Sequence, residues 1–358
     1  MTTRPLPLLI TLGDAVGIGP EIVLRAFRQG RVADCVVVGE PAVLQRAARL
    51  LDPLGVPLAV VDEPGALELV PPGALPVLRP QGLPAGLAEL PWGQVDARCG
   101  AAAAACIQAA VALVRAGQAG GIVTAPIHKE ALAAAGVSFP GHTEMLQALA
   151  ADPGGALPPV RMMLANKELR VVLVTIHVSL RRAIELVTRE AVLQTLRIVQ
   201  AAVPAWAGGA PRIAVAGLNP HAGEGGLFGD EEQTIIAPAI AQARAEGIAA
   251  AGPFAPDTVF MRARRRAGYA EPFDVVVAMT HDHGLIPVKY LGVEHGVNVT
   301  LGLPFVRTSP DHGTAFDIAG RGVADASSLV AAIEAARGMA AGLPPPSPRP
   351  SPAQRERG

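Results

Sequence analysis

An α/β fold with a largely parallel sheet is predicted by three features of the 358-residue sequence. Short apolar runs rich in β-branched residues alternate with longer alanine-rich stretches, which is the order of elements in parallel α/β proteins. Turns containing glycine and proline separate the two kinds of segment. The length is sufficient for two domains or for one large α/β unit with a substantial core.

The first strand is predicted at residues 8–11, followed by a glycine-containing turn at 13–19. A helix should begin at Pro20, since proline at the first helical position already has the required φ. Further strands are predicted at residues 35–38, 58–61, 121–124, 170–176, 212–216 and 274–279. Further helices are predicted at residues 100–116, 188–202, 231–246 and 325–341. The proline-rich tail 343–358 is predicted to be disordered.

Composition excludes several classes of protein. The formal net charge of −1 argues against broad nucleic-acid binding, which needs a basic face. The arginine-rich run 262–266 is interpreted as a solvated face or loop. Three cysteines without a CxxC pair fit a reducing compartment. Neither a signal-peptide pattern nor an uncharged run of spanning length is found, so a cytoplasmic location is expected.

Three histidines each lie just beyond the end of a predicted strand. His177 follows the run 170–176, His221 follows 212–216, and His281 follows 274–279. Open α/β sheets bind ligands outside the carboxyl ends of their strands, so parallel neighbouring strands would bring these imidazoles together. Three nitrogen ligands with open coordination positions are typical of a catalytic zinc-type site.

The alternative is that each is an ordinary loop histidine, since no local HExxH spacing is present. The recurrence at three strand ends is what favours a metal. His128 occupies a similar position after 121–124, but the adjacent cation Lys129 suits a substrate carboxylate or phosphate better than a metal.

Anion binding is indicated at two places. Residues 140–144 precede a predicted helix, whose N-terminus could bind phosphate or be capped by Thr143. Lys289, Asn298 and Arg307 lie in a mostly apolar stretch, where cations need an anionic partner or a solvated cleft. They could also be surface residues with buried stems. The glycine-rich segments 13–19 and 311–322 both lack the GxGxxG pattern and could be simple tight turns.

Eight blocks taken together resemble the 4-hydroxythreonine-4-phosphate dehydrogenase family of vitamin B6 biosynthesis, and they run in order along nearly the whole chain. The blocks are residues 11–21, 125–129, 141–144, 217–225, 253–258, 281–285, 298–309 and 311–315.

The resemblance implies a two-domain α/β/α fold similar to isocitrate and isopropylmalate dehydrogenases, and not a Rossmann domain. The first domain would comprise 1–137 with 300–342 and carry the cofactor loop. The second, 138–299, would provide metal and dimer contacts. The resemblance also implies a homodimer, with the active site in the cleft between the domains and the partner subunit contributing to it.

Site residues follow from the same resemblance, position by position. The metal would be a single divalent ion. Zinc is the first candidate, and magnesium, manganese and cobalt are the alternatives. The cofactor would be NAD or NADP. The metal ligands would be His177, His221 and His281. The substrate-binding residues would be His142, Thr143, Lys289, Asn298 and Arg307. The cofactor-binding residues would be His312, Gly313, Thr314, Asp317, Ile318 and Gly320.

The implied reaction is oxidation of 4-phosphohydroxy-L-threonine to 2-amino-3-oxo-4-phosphooxybutanoate, followed by decarboxylation. A metal would lower the pKa of the substrate hydroxyl while hydride passes to the nicotinamide. Lys289 and Asp282 are the candidates for proton transfer, since a buried lysine near a metal can act as a base.

Four positions depart from the family pattern, namely Leu12, Ala15, Thr280 and His283. His283 replaces a glutamine beside His281, so it could alter metal preference, add a ligand or mark a related dehydrogenase. Alternative substrates are 4-phospho-D-threonate, 4-phosphoerythronate or a carboxylated ring diol. A metal-dependent phosphohydrolase is the remaining alternative, and it would need no nucleotide loop.

Overall fold

The structure, a computed structural model, describes residues 5–203, 209–265, 273–292 and 294–342. The chain divides into two compact units. Unit 1 is Met1–Pro158 with Leu303–Gly358, and unit 2 is Pro159–Gly302. The predicted disordered tail and Arg266 of the arginine run lie outside the described residues.

The strands of unit 1 form a parallel sheet of order β3-β4-β2-β1-β5-β12. They are β1 Leu8–Thr11, β2 Cys35–Val38, β3 Leu58–Val61, β4 Leu75–Leu78, β5 Gly121–Thr124 and β12 Val306–Pro310. The strands of unit 2 follow the order β11-β6-β7-β10-β8-β9. They are β6 Arg161–Ala165, β7 Arg170–Leu173, β8 Ile213–Ala216, β9 Ala250–Phe254, β10 Val275–Ala278 and β11 Val297–Leu301.

Helices connect the strands in both units, so the predicted α/β class is confirmed. Unit 1 contains α1 Gly19–Arg28, α2 Pro41–Leu51, α3 Ala97–Arg115, α4 Lys129–Ala134, α5 His142–Ala150 and α11 Ser327–Gly342. Unit 2 contains α6 Leu180–Leu186, α7 Arg189–Ala202, α8 Ala237–Ala245, α9 Val259–Ala263 and α10 His281–Tyr290. The described residues also form three irregular turns. They are the 3₁₀ turns Pro64–Leu69 and Pro220–Gly226 and the π turn Glu232–Ile236.

Local chemistry explains where the helices start. Asp96 accepts a hydrogen bond from the Arg98 N–H at 2.8 Å, so α3 begins earlier than predicted. Thr188 accepts one from the Ala191 N–H at 3.2 Å and is therefore the cap of α7. The helix predicted at 231–246 is instead a π turn followed by α8, because Pro238 has no N–H to continue an α-helical ladder.

Unit 2 differs from the prediction in having a mixed sheet. Strand β10 pairs in parallel with both β7 and β8. The three strands that precede His177, His281 and His221 are therefore parallel neighbours. Strands β6 and β11 run antiparallel to their neighbours, and the sequence pattern did not indicate them. Strand β7 also ends at Leu173, before the predicted end at residue 176.

The boundary between the units falls later in the chain than predicted. Residues 138–158 belong to unit 1, because α5 packs against α3 of that unit. His142 and Thr143 therefore lie in the same unit as Arg307. The second crossing, at 302/303, is close to the predicted 299/300.

Helix α3 lies in the core of unit 1. It has the length and apolar character of a membrane span, but 56% of its most apolar window is buried inside the protein, as in the core helix of a globular unit. Gly100 allows α3 to lie close to α4, because a Cβ at this position would be 2.0 Å from the carbonyl oxygen of Ala131.

Replacing Gly100 with alanine should therefore destabilise unit 1. Alanine normally stabilises a helix relative to glycine by about 1 kcal/mol, but overpacking against backbone costs about 1–3 kcal/mol. We expect a net fall in melting temperature of about 2–4 °C for each kcal/mol lost. Gly65→Ala is the control, since no atom lies within 4 Å of the added Cβ. Equal melting temperatures for the two variants would contradict the packing argument.

Candidate active site

The sheet of unit 1 has a topological switch point between β1 and β5. Strand β1 lies between β2 and β5 and is parallel to both, so the chain leaves β1 on one side and reaches β5 on the other. Open α/β sheets bind ligands outside the carboxyl ends of strands at such a point. The segments that follow these ends are 12–19 after β1 and 125–129 after β5, with 311–322 after the adjacent β12.

These three segments contact one another. The Asp14 N–H donates to the Pro126 carbonyl at 2.9 Å, and the Ile18 N–H donates to the Thr314 carbonyl at 3.0 Å. Gly13 has a φ of +74° and approaches Pro126 so closely that a Cβ would lie 2.3 Å from its oxygen. The glycines of the first turn thus allow close backbone contact, which the sequence alone left open.

The predicted cofactor loop 312–322 rests on aromatic side chains. The rings of Phe316 and His128 stack with centroids 4.6 Å apart. Gly320 has a φ of +78° and lies against the Trp92 indole, where a Cβ would be 2.4 Å from Cγ. The Arg46 guanidinium lies 3.7 Å from the centroid of the Trp92 ring. Sequence reasoning missed Trp92, whose only signal was its rarity in a chain with 3% aromatic residues.

Asp14, which lies in the first of the eight blocks, is a buried carboxyl at the switch point. One of its oxygens accepts a hydrogen bond from the Val16 N–H at 3.0 Å. Burial raises the pKa of Asp14, against the opposing effects of that N–H and of His128. A polar group in this position is suited to contact a ligand at the sheet edge.

Arg307 and His142 belong to the same unit and interact electrostatically. Arg307 is buried in β12 and donates to the Thr124 hydroxyl at 2.7 Å. Burial lowers its pKa to about 10, so the guanidinium remains charged at neutral pH. His142 begins α5, and its pKa is held well below 6.5 by burial and by the Arg307 charge.

The start of α5 is also suited to an anion. Gly141 occupies the cap position without a side-chain cap, so the interpretation of Thr143 as a simple cap is wrong. The N-terminal N–H groups of α5 and its positive dipole end lie next to His142. The other two predicted substrate residues, Lys289 near the end of α10 and Asn298 on β11, belong to unit 2.

The structure brings two of the three predicted metal ligands together. The rings of His177 and His281 have centroids 5.6 Å apart, at the carboxyl ends of the neighbouring strands β7 and β10. His281 Nδ1 lies 2.7 Å from Asp282 Oδ1, a contact that fixes an imidazole for metal binding. His177 has a left-handed φ of +52°. His283 lies two residues further along α10, and side chains at this spacing do not face each other.

His221 lies in a separate, left-handed loop after β8. Its Nδ1 is 3.1 Å from Glu224 Oε2, and its ring makes an edge contact with Phe228. Within the described residues, no three His, Cys, Asp or Glu side chains are gathered in a position to hold a metal ion. The donor set of imidazoles oriented by carboxylates nevertheless fits zinc or cobalt chemically.

Lowering the pH from about 7.5 to about 5.5 should destabilise the protein more than it destabilises a His142→Asn variant. The folded-state pKa of His142 lies below its ordinary 6.5, so in this window the unfolded chain binds a proton that the folded chain does not. This contribution to stability is present above about pH 6.5 and is lost as the pH falls toward the folded pKa, by at most about 1.4 kcal/mol per pH unit.

Unfolding midpoints of both proteins at the two pH values provide the measurement. Parallel losses of stability in the two proteins would contradict the neutral state of His142.

The chain is similar to known proteins over most of its length. The family model described as pyridoxal phosphate biosynthetic protein PdxA matches residues 31–336. A 4-hydroxythreonine-4-phosphate dehydrogenase of Beijerinckia indica is 54% identical over 335 residues, covering 92% of this chain and 93% of the relative. The crystal structure of a 4-hydroxythreonine-4-phosphate dehydrogenase from Klebsiella pneumoniae is 40% identical, with a TM-score of 0.83, covering 95% of this chain and 99% of that one.

A more distant solved structure has a different substrate in its name. It is a terephthalate 1,2-cis-dihydrodiol dehydrogenase from Burkholderia xenovorans, 30% identical with a TM-score of 0.67. It covers 94% of this chain and 98% of its own. The fold therefore also occurs in a dehydrogenase named for a carboxylated ring diol.

Proposed function

The chain belongs to the PdxA family of pyridoxal phosphate biosynthetic proteins, and on this premise we propose that it oxidises 4-phosphohydroxy-L-threonine. The product would be 2-amino-3-oxo-4-phosphooxybutanoate, a β-keto acid that then loses carbon dioxide. The observation that carries the proposal is the buried Arg307 guanidinium, which donates to Thr124 at the carboxyl end of β5 and whose charge lowers the pKa of His142. A charged guanidinium in that position suits the phosphate of the substrate.

The electron acceptor in this proposal is NAD or NADP, as is usual for dehydrogenases. Loop 312–322 would supply the residues that bind the nucleotide. The Trp92 ring and the turn 14–18 contact this loop. Gly313 has no atom within 4 Å of a notional Cβ, so backbone at this point is accessible to a nucleotide. The named contacts remain His312, Gly313, Thr314, Asp317, Ile318 and Gly320.

A divalent metal, with zinc as the first candidate, would be held by His177, His221 and His281. When bound, it would supply Lewis-acid polarisation of the substrate oxygens. The chain's own residues do the rest of the chemistry. Asp282 would orient His281 through its 2.7 Å contact. Lys289 stays the candidate for proton transfer, but it is exposed near the end of the same helix, so the burial expected from the sequence is wrong.

A homodimer would complete this site. Exposed apolar side chains cluster in unit 2 close in sequence to the metal-ligand candidates, and a second copy of the chain would cover them. They are Val178, Leu180, Ile184 and Leu186 after His177, Leu227 and Phe228 after His221, and Ile286 and Tyr290 on α10. We infer that the partner subunit contributes to this site. The three cysteines are buried and unbridged, which suits the cytoplasm.

Two related substrates are the alternatives. A carboxylated ring diol is favoured only by the distant dihydrodiol dehydrogenase, and it would leave the Arg307–His142 pair without a phosphate. A phosphorylated sugar acid such as 4-phospho-D-threonate would use that pair equally well. A phosphohydrolase does not agree with membership of a dehydrogenase family.

We expect NAD or NADP reduction by metal-replete protein on 4-phosphohydroxy-L-threonine, and its loss on treatment with a chelator. Turnover should exceed that on 4-phospho-D-threonate and on a carboxylated diol measured in parallel. A preference for either of the latter would reassign the substrate and make His283 the first residue to change. Absence of nucleotide binding would contradict the dehydrogenase assignment itself.

Gly320→Ala should weaken nucleotide binding about tenfold while leaving metal binding unchanged. The new methyl group would collide with the Trp92 ring and would occupy a φ of +78°, so the cofactor loop must move. Gly82→Ala is the matched control, since Gly82 has a φ of +75° but nothing within 4 Å. Titration of NAD and NADP gives the dissociation constants, and equal constants for both variants would refute the role of this contact.

A further inference from the structure

We propose that Glu232 is a positioning residue, whose buried carboxylate fixes the loop that presents His221 to the metal. The loop comprises residues 217–229, between β8 and the π turn, and is called the His221 loop below. This inference rests on the proposed metal set, since it concerns how one of its ligands is held.

The His221 loop has a backbone that needs external support. Five successive residues have left-handed φ values, namely His221 at +53°, Ala222 at +55°, Gly223 at +79°, Glu224 at +45° and Gly225 at +69°. Three of these are not glycine, and side chains disfavour this conformation. Such strain persists only where the surrounding structure determines it, and it is concentrated at functional sites.

Glu232 supplies that support from the beginning of the π turn. Its side chain is only 3% exposed. Its Oε1 accepts hydrogen bonds from the Leu218 N–H at 2.7 Å and from the Asn219 N–H at 2.8 Å. Its Oε2 accepts a third from the Asn219 side-chain amide at 3.0 Å. Both oxygens of the carboxylate are thus tied to the two residues that lead into Pro220 and His221.

Glycines allow the carboxylate to reach this position. A Cβ on Gly217 would lie 2.9 Å from Glu232 Oε1, and a Cβ on Gly223 would lie 2.7 Å from Oε2. The carboxylate therefore lies between the start of the His221 loop and the middle of its left-handed run. Burial by itself would raise the pKa of Glu232, but the hydrogen bonds from Asn219 and Leu218 lower it below its usual value. The group is held as an anion that only accepts hydrogen bonds.

An amide cannot replace it fully. The three donors that face Glu232 all require acceptors, whereas glutamine would turn an N–H₂ toward one of them. Glu232→Gln should therefore loosen the His221 loop without removing much volume. We expect the dissociation constant for zinc to rise about tenfold, as is usual when a group behind a metal ligand is removed.

The test is competitive titration of Zn²⁺ into the metal-free full-length protein, with a chromophoric chelator as competitor. Glu190→Gln is the matched control, because it removes the same charge from an exposed position of unit 2. His221→Ala and the double variant Glu232→Gln/His221→Ala complete a thermodynamic cycle. If Glu232 acts through His221, its substitution weakens zinc binding in the wild-type background and has no further effect in the His221→Ala background.

Two results would overturn the inference. One is unchanged zinc affinity of Glu232→Gln when His221→Ala has weakened it. The other is an equal loss in both backgrounds, which would indicate a general structural role. If His221→Ala itself leaves zinc affinity unchanged, the proposed metal set fails, which is a separate outcome.

If Glu232→Gln does not fold, Gly217→Ala tests the same contact from the opposite side, since its methyl group crowds Oε1. It should weaken zinc binding in the wild-type background and have no effect with His221→Ala.

Discussion

Parallel pairing of strands is the constraint on which the candidate site residues of each unit depend. Because parallel strands end at the same edge, the residues that follow β1, β5 and β12 meet in unit 1. The residues that follow β7, β10 and β8 share an edge in unit 2 in the same way. Polar groups that lie far apart in sequence are therefore brought together without any local motif.

Buried glutamates hold the functional loops in both units. In unit 1 the Glu21 carboxylate accepts a hydrogen bond from the Ala324 N–H at 2.7 Å, just beyond the cofactor loop. In unit 2 the Glu232 carboxylate accepts from the Leu218 N–H at the same distance. A carboxylate can satisfy several N–H groups of an irregular segment. The loops can therefore adopt conformations that their own sequences disfavour.

Electrostatics in unit 1 favour an anionic ligand. Arg307 keeps its charge although it is buried, and its charge helps to keep His142 neutral. A neutral imidazole beside a guanidinium can donate or accept a hydrogen bond without adding a second buried cation. The N-terminus of α5 adds partial positive charge at the same place. These features together agree with a phosphate-bearing substrate.

The sequence by itself determined the α/β class, most strand positions and the strand-end location of His177, His221 and His281, because these follow from local apolar patterns. The resemblance of eight sequence blocks to one dehydrogenase family also indicated the family to which the chain belongs. Only the tertiary structure decided that β6 and β11 run antiparallel, that α5 packs with α3, and that Trp92 and Glu232 support the loops. These features depend on contacts between residues distant in sequence, which periodicity does not encode. The pairing of His177 with His281, apart from His221, was likewise decided by the fold, because strand order and loop conformation set where each ring lies.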